Sequence, residues 1–201
     1  MDNASWDRRY GGHGLVWTAE PNRFLVAETE LLAPGRAIDL ACGEGRNAIW
    51  LAEREWEVVG VDFSEVGLRK ARELAGARGV SVDWVAADLL DYRPEPWAFD
   101  LVLVFYLQVP AAERRPIVHA AAEGVAPGGR FLLVAHDSTN LQHGHGGPQH
   151  PTVLYTAHDV VDDLDGSELK IERAACVERP VQTPDGNRVA LDALVRARRP
   201  D

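Results

Sequence analysis

Four carboxylates and two glycines carry most of the chemistry open to the first half of the chain. Gly43 and Gly45 flank Glu44, between the apolar run Ala37-Ile38-Asp39-Leu40-Ala41 and a helical segment that starts at Arg46. Glycine at such a joint lets the backbone turn sharply and come close to a ligand that any Cβ would hold off. Asp39 lies inside the first strand, four residues before Gly43, where a charge is costly without partners. Its carboxylate suits loop amides and, directly or through water, an ammonium group. Asp62 ends the second apolar run, Glu57-Val58-Val59-Gly60-Val61, the place where a carboxylate accepts hydrogen bonds from two ribose hydroxyls. Asp88, in Ala86-Ala87-Asp88-Leu89, can accept from an adenine amine. Asp39 and Glu44 would both repel a diphosphate, so the set suits a ribonucleoside with a cationic end.

Two other readings share part of this pattern. Gly43-x-Gly45-x-x-Ala48 imitates a dinucleotide fingerprint, with Asp62 nineteen residues beyond Gly43, which would make the chain an NAD-dependent oxidoreductase. Against it, no Tyr-x-x-x-Lys pair is present, and Lys70 and Lys170, its two lysines, are badly placed for hydride chemistry. The other alternative is a non-catalytic cofactor- or metal-binding module, because five of the seven histidines (His136, His143, His145, His150, His158) fall within residues 136–158. Imidazole serves as a base near neutral pH or as a metal ligand. His143-Gly144-His145 sits among glycines without a carboxylate partner, so the segment reads as a polar lid and no metal is expected. His136 directly follows the fifth strand and is the expected base. Tyr106 and Gln108 follow the fourth strand and line the same cavity. Cys42 stands at a helix N-terminus, which favours a thiolate, but the acids around it oppose ionisation and it reads as a packing residue.

The elements that must position these residues alternate from Arg36 onward. Strands are predicted over 37–41, 57–61, 80–85, 99–105 and 130–135, with the fourth too apolar on both faces for anything but a sheet interior. Helices are predicted over 46–54, after the Ser64 cap, and over 111–125, the last stopped by Pro127-Gly128-Gly129. Five strands separated by helices mean a doubly wound parallel sheet, α/β in class. Its ligands bind beyond the carboxyl ends of the strands, where all the residues above lie. A helix over 157–164 and two strands over 169–178 and 188–196 follow, the strands joined by the hairpin signal Pro184-Asp185-Gly186-Asn187. Before the core, an amphipathic helix is expected over 23–32.

Composition narrows the partners. The chain has 201 residues, with 21 Lys+Arg against 31 Asp+Glu and a formal charge of −10, which disfavours nucleic acid. Two cysteines build no disulfide framework, the N-terminus lacks the apolar core of a signal peptide, and no apolar run approaches the roughly 20 residues of a membrane span. A cytoplasmic protein with neither membrane nor nucleic-acid partner is expected. One domain spans 1–201: an arm or cap over 1–34, a cofactor-binding core over 35–136, a lid loop over 137–158, and a C-terminal helix and strands over 159–201.

The string Asp39-Leu40-Ala41-Cys42-Gly43-Glu44-Gly45-Arg46-Asn47, then Val61-Asp62-Phe63-Ser64, then Ala87-Asp88-Leu89, resembles the Rossmann-like S-adenosylmethionine-dependent methyltransferases through about residues 36–136. Trp6-Asp7-Arg8-Arg9-Tyr10, with the Cys-Gly-x-Gly-Arg-Asn string, is similar to the tellurite-resistance and thiopurine-type small-molecule branch. The resemblance implies a mostly parallel seven-stranded sheet whose last two strands form an antiparallel pair at the edge. It implies S-adenosyl-L-methionine as cofactor and a small-molecule acceptor, a soft nucleophile such as a thiol or chalcogen species. Asp39 and Gly43 would lie beneath the methionine moiety, with Gly45 allowing close backbone approach. Asp62 would hold the ribose, Phe63 would pack on adenine, and Asp88 would take its amine with Leu89 alongside. Phe105 or Tyr106 would lie near the transferring methyl. Ala41 stands where the family usually has glycine, so a slightly shifted loop is expected with binding retained. Tyr10, Trp17 and Arg23 from the arm are expected at the cofactor, Arg23 at its carboxylate. Trp6, Gln108 and His143 are expected towards the acceptor.

Overall fold

The densest apolar runs of the chain lie at the centre of one seven-stranded sheet. In the computed structural model, which describes residues 3–201, the strands are β1 (Arg36–Leu40), β2 (Glu57–Asp62), β3 (Asp83–Ala86), β4 (Phe99–Phe105), β5 (Val125–His136), β6 (Lys170–Thr183) and β7 (Gly186–Arg198). Their spatial order is β3-β2-β1-β4-β5-β7-β6. The first five strands are parallel, and β7 runs antiparallel to both β5 and β6. The order builds outward from β1 through β3 and then resumes on the other side with β4. The crevice at this reversal is the natural ligand position of such a sheet.

Strand alternation sends side chains to two cores. Ile38, Leu40, Val102, Val104, Leu133 and Ala135 pack on one face with Ile117, Val118 and Ala121 of α5 (Ala111–Glu123) and Val160 of a later helix. Ala37, Leu101, Leu103, Phe105, Leu132 and Val134 pack on the other with Leu25 and with Ala48 and Leu51. Both faces of β4 are therefore covered from Leu101 to Phe105, which is why that stretch is wholly apolar, while Asp100 at its entry stays exposed. The helices are α1 (Asn3–Tyr10), α2 (Arg23–Thr29), α3 (Arg46–Ala52), α4 (Glu65–Arg78), α5, the single turn α6 (Asn140–His143) and α7 (Ala157–Asp163), which carries Val160.

Some boundaries differ from the sequence expectation. Pairing of β3 with β2 begins at Val59↔Asp83, so the residues from Val80 to Val82 approach the sheet without joining it. Helix α5 ends at Glu123 with Gly124 as its cap, ahead of the Pro127-Gly128-Gly129 signal. Val125 already pairs with Phe99, and the register shifts before Leu101 meets Arg130; the glycines lie inside the irregular start of β5. The arm contains α1 in addition to the expected helix, whose observed span is shorter. Its sequence cue is Trp6 and Tyr10, four apart and on one helix face, with their rings stacked 5.4 Å apart.

Candidate active site

The loop after β1 is held open by backbone conformations that most side chains avoid. Ala41, Gly43 and Gly45 have φ of 63°, 56° and 79°. The alanine thus occupies a left-handed position where glycine would be relaxed. The turn closes through Gly45 N–H to Cys42 C=O at 2.9 Å, and Asp62 fastens it to the end of β2. One Asp62 oxygen accepts from the Gly43 N–H at 2.8 Å and the other from the Ser64 N–H at 2.9 Å. Burial raises the Asp62 pKa against the pull of these bonds. Burial also pushes up the Cys42 thiol, with Asp62 and Asp39 adding to the effect, so the residue is an unreactive packing group.

Asp39 lies deeper. It is 1% exposed, and neither carboxylate oxygen has a hydrogen-bond partner. Burial lifts its pKa to about 7, with the Arg46 guanidinium pulling the other way. A β-carbon added at Gly45 would strike the Trp84 indole at 2.4 Å and Ala71 at 2.9 Å. The space at Gly45 is therefore used to seat Trp84 between the loop and α4.

The arm lies on this loop. Tyr10 is 4% exposed and packs against Gly43 and Gly67, while Ser64 Oγ donates to Asp7 at 2.5 Å. Glu44, 4% exposed, accepts from the amides of Val16 at 2.8 Å and Trp17 at 3.2 Å and pairs with Lys70 at 3.3 Å. Arg9 sits 5.0 Å above the rings of both Trp6 and Trp17. Arms and acids thus meet: Glu44 turns towards the backbone of residues 16 and 17. On the adenine side of the expected site, Phe63 is half-buried, Leu89 is buried, and exposed Asp88 accepts from the Leu90 N–H at 2.9 Å.

Beyond β4 and β5 a second cluster forms. Phe105 is buried, while Tyr106 turns out of β4 at φ 54°. The Tyr106 hydroxyl donates to Asp192 at 2.9 Å and accepts from Asn22 Nδ2 at 3.2 Å. Its ring lies 4.9 Å from the His136 imidazole, centroid to centroid. Gln108 accepts from the His136 N–H at 2.7 Å and donates to Val153 C=O at 2.5 Å. Arg179 reaches Asp192 through Nε at 2.6 Å and Nη2 at 3.3 Å. Burial pushes the Tyr106 hydroxyl up to about 12, with Asp192 reinforcing it.

Tyr106, His136, Gln108 and Asn22 are therefore brought together, and Asp192 and Arg179 complete the cluster unanticipated. Arg23 is exposed at the start of α2, its guanidinium 5.9 Å above the Phe24 ring. His143 is exposed and lines a separate surface cavity of about 520 Å³ with His145, Asp185 and Arg188 of the hairpin tip. The sequence did contain a cue for Asp192, a lone acid in the apolar run Ala190 to Val195, the same cue that marked Asp39.

Residues 37–129 match the family model described as a methyltransferase domain. Thiocyanate methyltransferase 1 of Arabidopsis thaliana is 25% identical over 179 residues, covering 86% of this chain and 77% of the relative. Demethylmenaquinone methyltransferase of Thermus thermophilus is 38% identical over 104 residues, 51% of this chain and 47% of its own length. Among solved structures, the N-methyltransferase NodS of Bradyrhizobium japonicum in complex with S-adenosyl-L-homocysteine superposes with a TM-score of 0.74 at 19% identity, covering 100% of both chains. Residues 37–129 therefore form a methyltransferase domain of the Rossmann-like, S-adenosylmethionine-dependent kind. The donor chemistry of this methyltransferase fits its cofactor: a buried, unpartnered Asp39 carboxylate lies under the loop, where an ammonium group would relieve it. Among the described residues, no group of three or more His, Cys, Asp or Glu is arranged to hold a metal ion, and no helix is long and apolar enough to cross a membrane.

Proposed function

We propose that this methyltransferase transfers the methyl group to a small-molecule acceptor carrying a soft nucleophile, a thiol or chalcogen species, held against Tyr106 and His136. The observation that carries the reading is the wholly buried Asp39 with two unpartnered oxygens. Such a group is rare in a native fold and marks a place completed by a ligand. In this proposal Asp39 receives the cofactor ammonium, with Ala41, Gly43 and Gly45 shaping the backbone beside it. Asp62 keeps acceptor capacity beyond its bonds to the Gly43 and Ser64 amides and turns it to the ribose hydroxyls. Phe63 and Leu89 flank adenine, and Asp88 takes its amine. Phe105 packs behind the reacting carbon, Tyr10 and Trp17 cover the cofactor, and Trp6 and Gln108 border the acceptor. Arg23 and His143 have no part in it.

S-adenosylmethionine supplies a methyl group on a sulfonium that is already disposed to leave. The chain then has to align the nucleophile, keep water out and take a proton. Tyr106, held protonated by burial, acts as a hydrogen-bond donor, which leaves His136 as the base. A sulfur acceptor is supported by the thiocyanate methyltransferase, whose named acceptor contains sulfur. The formal charge of −10 argues against a nucleic-acid acceptor, although some relatives are named as rRNA methyltransferases. The arm, core, lid loop and C-terminal hairpin are proposed to work as one domain in a cytoplasmic setting.

Calorimetry with S-adenosylmethionine, S-adenosylhomocysteine and NAD tests the cofactor: the first two bind and NAD does not. Binding of NAD without response to either adenosyl compound would overturn the proposal. A panel of thiols, selenols, phenols, amines and halides, followed by S-adenosylhomocysteine release, tests the acceptor. Turnover of amines alone would remove the soft-nucleophile assignment.

A further inference from the structure

Asp192 is 0% exposed, a charge in the middle of the sheet directly across the β5–β7 register from His136. It gathers three other side chains from separate elements. Its Oδ2 accepts from Tyr106 at 2.9 Å and from Arg179 Nε at 2.6 Å, and its Oδ1 accepts from Arg179 Nη2 at 3.3 Å. His136 Nδ1 is fully buried and lies 3.3 Å from the same Oδ1, without the alignment of a formed hydrogen bond. The 14% of the His136 side chain that stays accessible is therefore not at Nδ1. Nε2 has no hydrogen bond among the described residues. Tyr106 packs on the ring at 4.9 Å, centroid to centroid, and Gly147 leaves no room for a side chain beside it.

We infer that Asp192 is the positioning residue of the acceptor site, holding His136 with Nδ1 inward and Nε2 towards the acceptor, and that the site takes acceptors that must lose a proton. This rests on the reading of His136 as the base. A buried carboxylate beside the inner nitrogen matters most when the ring becomes positively charged, since it then faces an imidazolium. An acceptor that is already an anion, such as thiocyanate or a halide, brings no proton and makes no use of the pair. With an X–H acceptor, His136 Nε2 takes the proton and the X lone pair forms the bond to the methyl carbon. The carbon–sulfur pair returns to sulfur, leaving neutral S-adenosylhomocysteine, X–CH3 and an imidazolium paired with Asp192. Arg179 occupies two of the four acceptor positions of the carboxylate, so the carboxylate stays ionised and in place between turnovers.

The first test needs no substrate. Long-range proton–nitrogen correlation NMR on the full 15N-labelled chain, with His136→Gln to identify the signal, reports which ring nitrogen carries the proton. The expected form of the neutral ring is Nδ1–H with Nε2 bare; the Nε2–H form would overturn the inference even if every other proposal stood. Asp192→Asn is expected to abolish that preference and Asp192→Glu to restore part of it, and a preference unmoved by Asp192→Asn would also overturn it. The second test is turnover of thiols graded in acidity, from thiophenols, which are largely thiolate at neutral pH, to alkanethiols, which keep their proton. The loss caused by Asp192→Asn should grow as the acceptor becomes less acidic, reaching on the order of 100-fold for the weakest acid. Equal loss across the series would assign Asp192 a merely structural role. If S-adenosylmethionine binds and no thiol of the series is methylated, the proposed acceptor class fails while the ring tautomer still decides the inference.

Discussion

Tyr10 stands directly over Gly43, its hydroxyl oxygen 2.7 Å from the point that a β-carbon at residue 43 would occupy. The arm and the glycine loop are thus fitted to each other by shape, at a residue whose φ of 56° already disfavours a side chain. The docking of α1 is thereby coupled to the conformation of the loop.

Gly43→Ala is therefore expected to lower stability through both effects. The left-handed backbone alone costs about 1–2 kcal/mol, which corresponds to a fall in Tm of roughly 2–8 °C in a domain of this length. Tyr10→Phe in the Gly43→Ala background removes the clashing oxygen and should recover part of the loss. Thermal unfolding of the two variants measures this; no recovery would mean that Tyr10 does not press on the loop.

Glu44→Ala should loosen the arm without touching α1 itself. The carboxylate holds the amides of Val16 and Trp17 and the Lys70 ammonium, and removing it takes the charged acceptor from these part-buried donors, at about 1 kcal/mol. Limited proteolysis at Arg9 and Arg23 should accelerate, and cofactor affinity should drop. Proteolysis at the wild-type rate would show that the arm is anchored elsewhere.

The sheet was legible because its signals are local. An unbroken apolar run such as Leu101 to Phe105 points to an interior strand, and Pro184-Asp185-Gly186-Asn187 to a turn between β6 and β7. The start of β3 was not, since an edge strand takes its limits from where its single neighbour offers partners. Nor was the use of Glu44, which reads as one more acid near a cationic ligand until the arm folds back upon it. Asp192 and Arg179 are clear in composition but mute about their purpose. Their meeting with Tyr106 and His136 depends on the β5–β7 and β6–β7 registers, which no local spacing specifies. The family resemblance covers residues around the loop and the first five strands, which include Tyr106 and His136, and so gave no sign of Asp192 and Arg179.

Asp62→Ala is expected to weaken binding of S-adenosylmethionine by about 1–3 kcal/mol. It removes the acceptor of two backbone donors, at Gly43 and Ser64, so the loop relaxes even before any ribose contact is lost. Asp62→Asn, which keeps one acceptor oxygen, should fall between. Calorimetry gives the comparison, and a dissociation constant equal to that of the wild type would remove Asp62 from the cofactor site.

The pKa of Asp39 sets a sign that two experiments can read. Burial raises it from 3.8 to about 7, so between those values the folded chain holds a proton that the unfolded chain has released. Stability therefore falls as pH rises through this window and the penalty is complete above pH 7, while below about pH 4 both states are protonated and there is none. Asp39→Asn lacks the penalty. Its Tm should exceed that of the wild type at pH 8, by roughly 2–4 °C for each kcal/mol of cost relieved, and the two should converge at pH 4. Cofactor binding runs the opposite way, because only the ionised carboxylate pairs with an ammonium group. Wild-type affinity for S-adenosylmethionine should tighten from pH 6 to pH 8, and that of Asp39→Asn should be weak and flat. An affinity profile shared by both proteins would separate Asp39 from the ammonium, whatever the stability curves show.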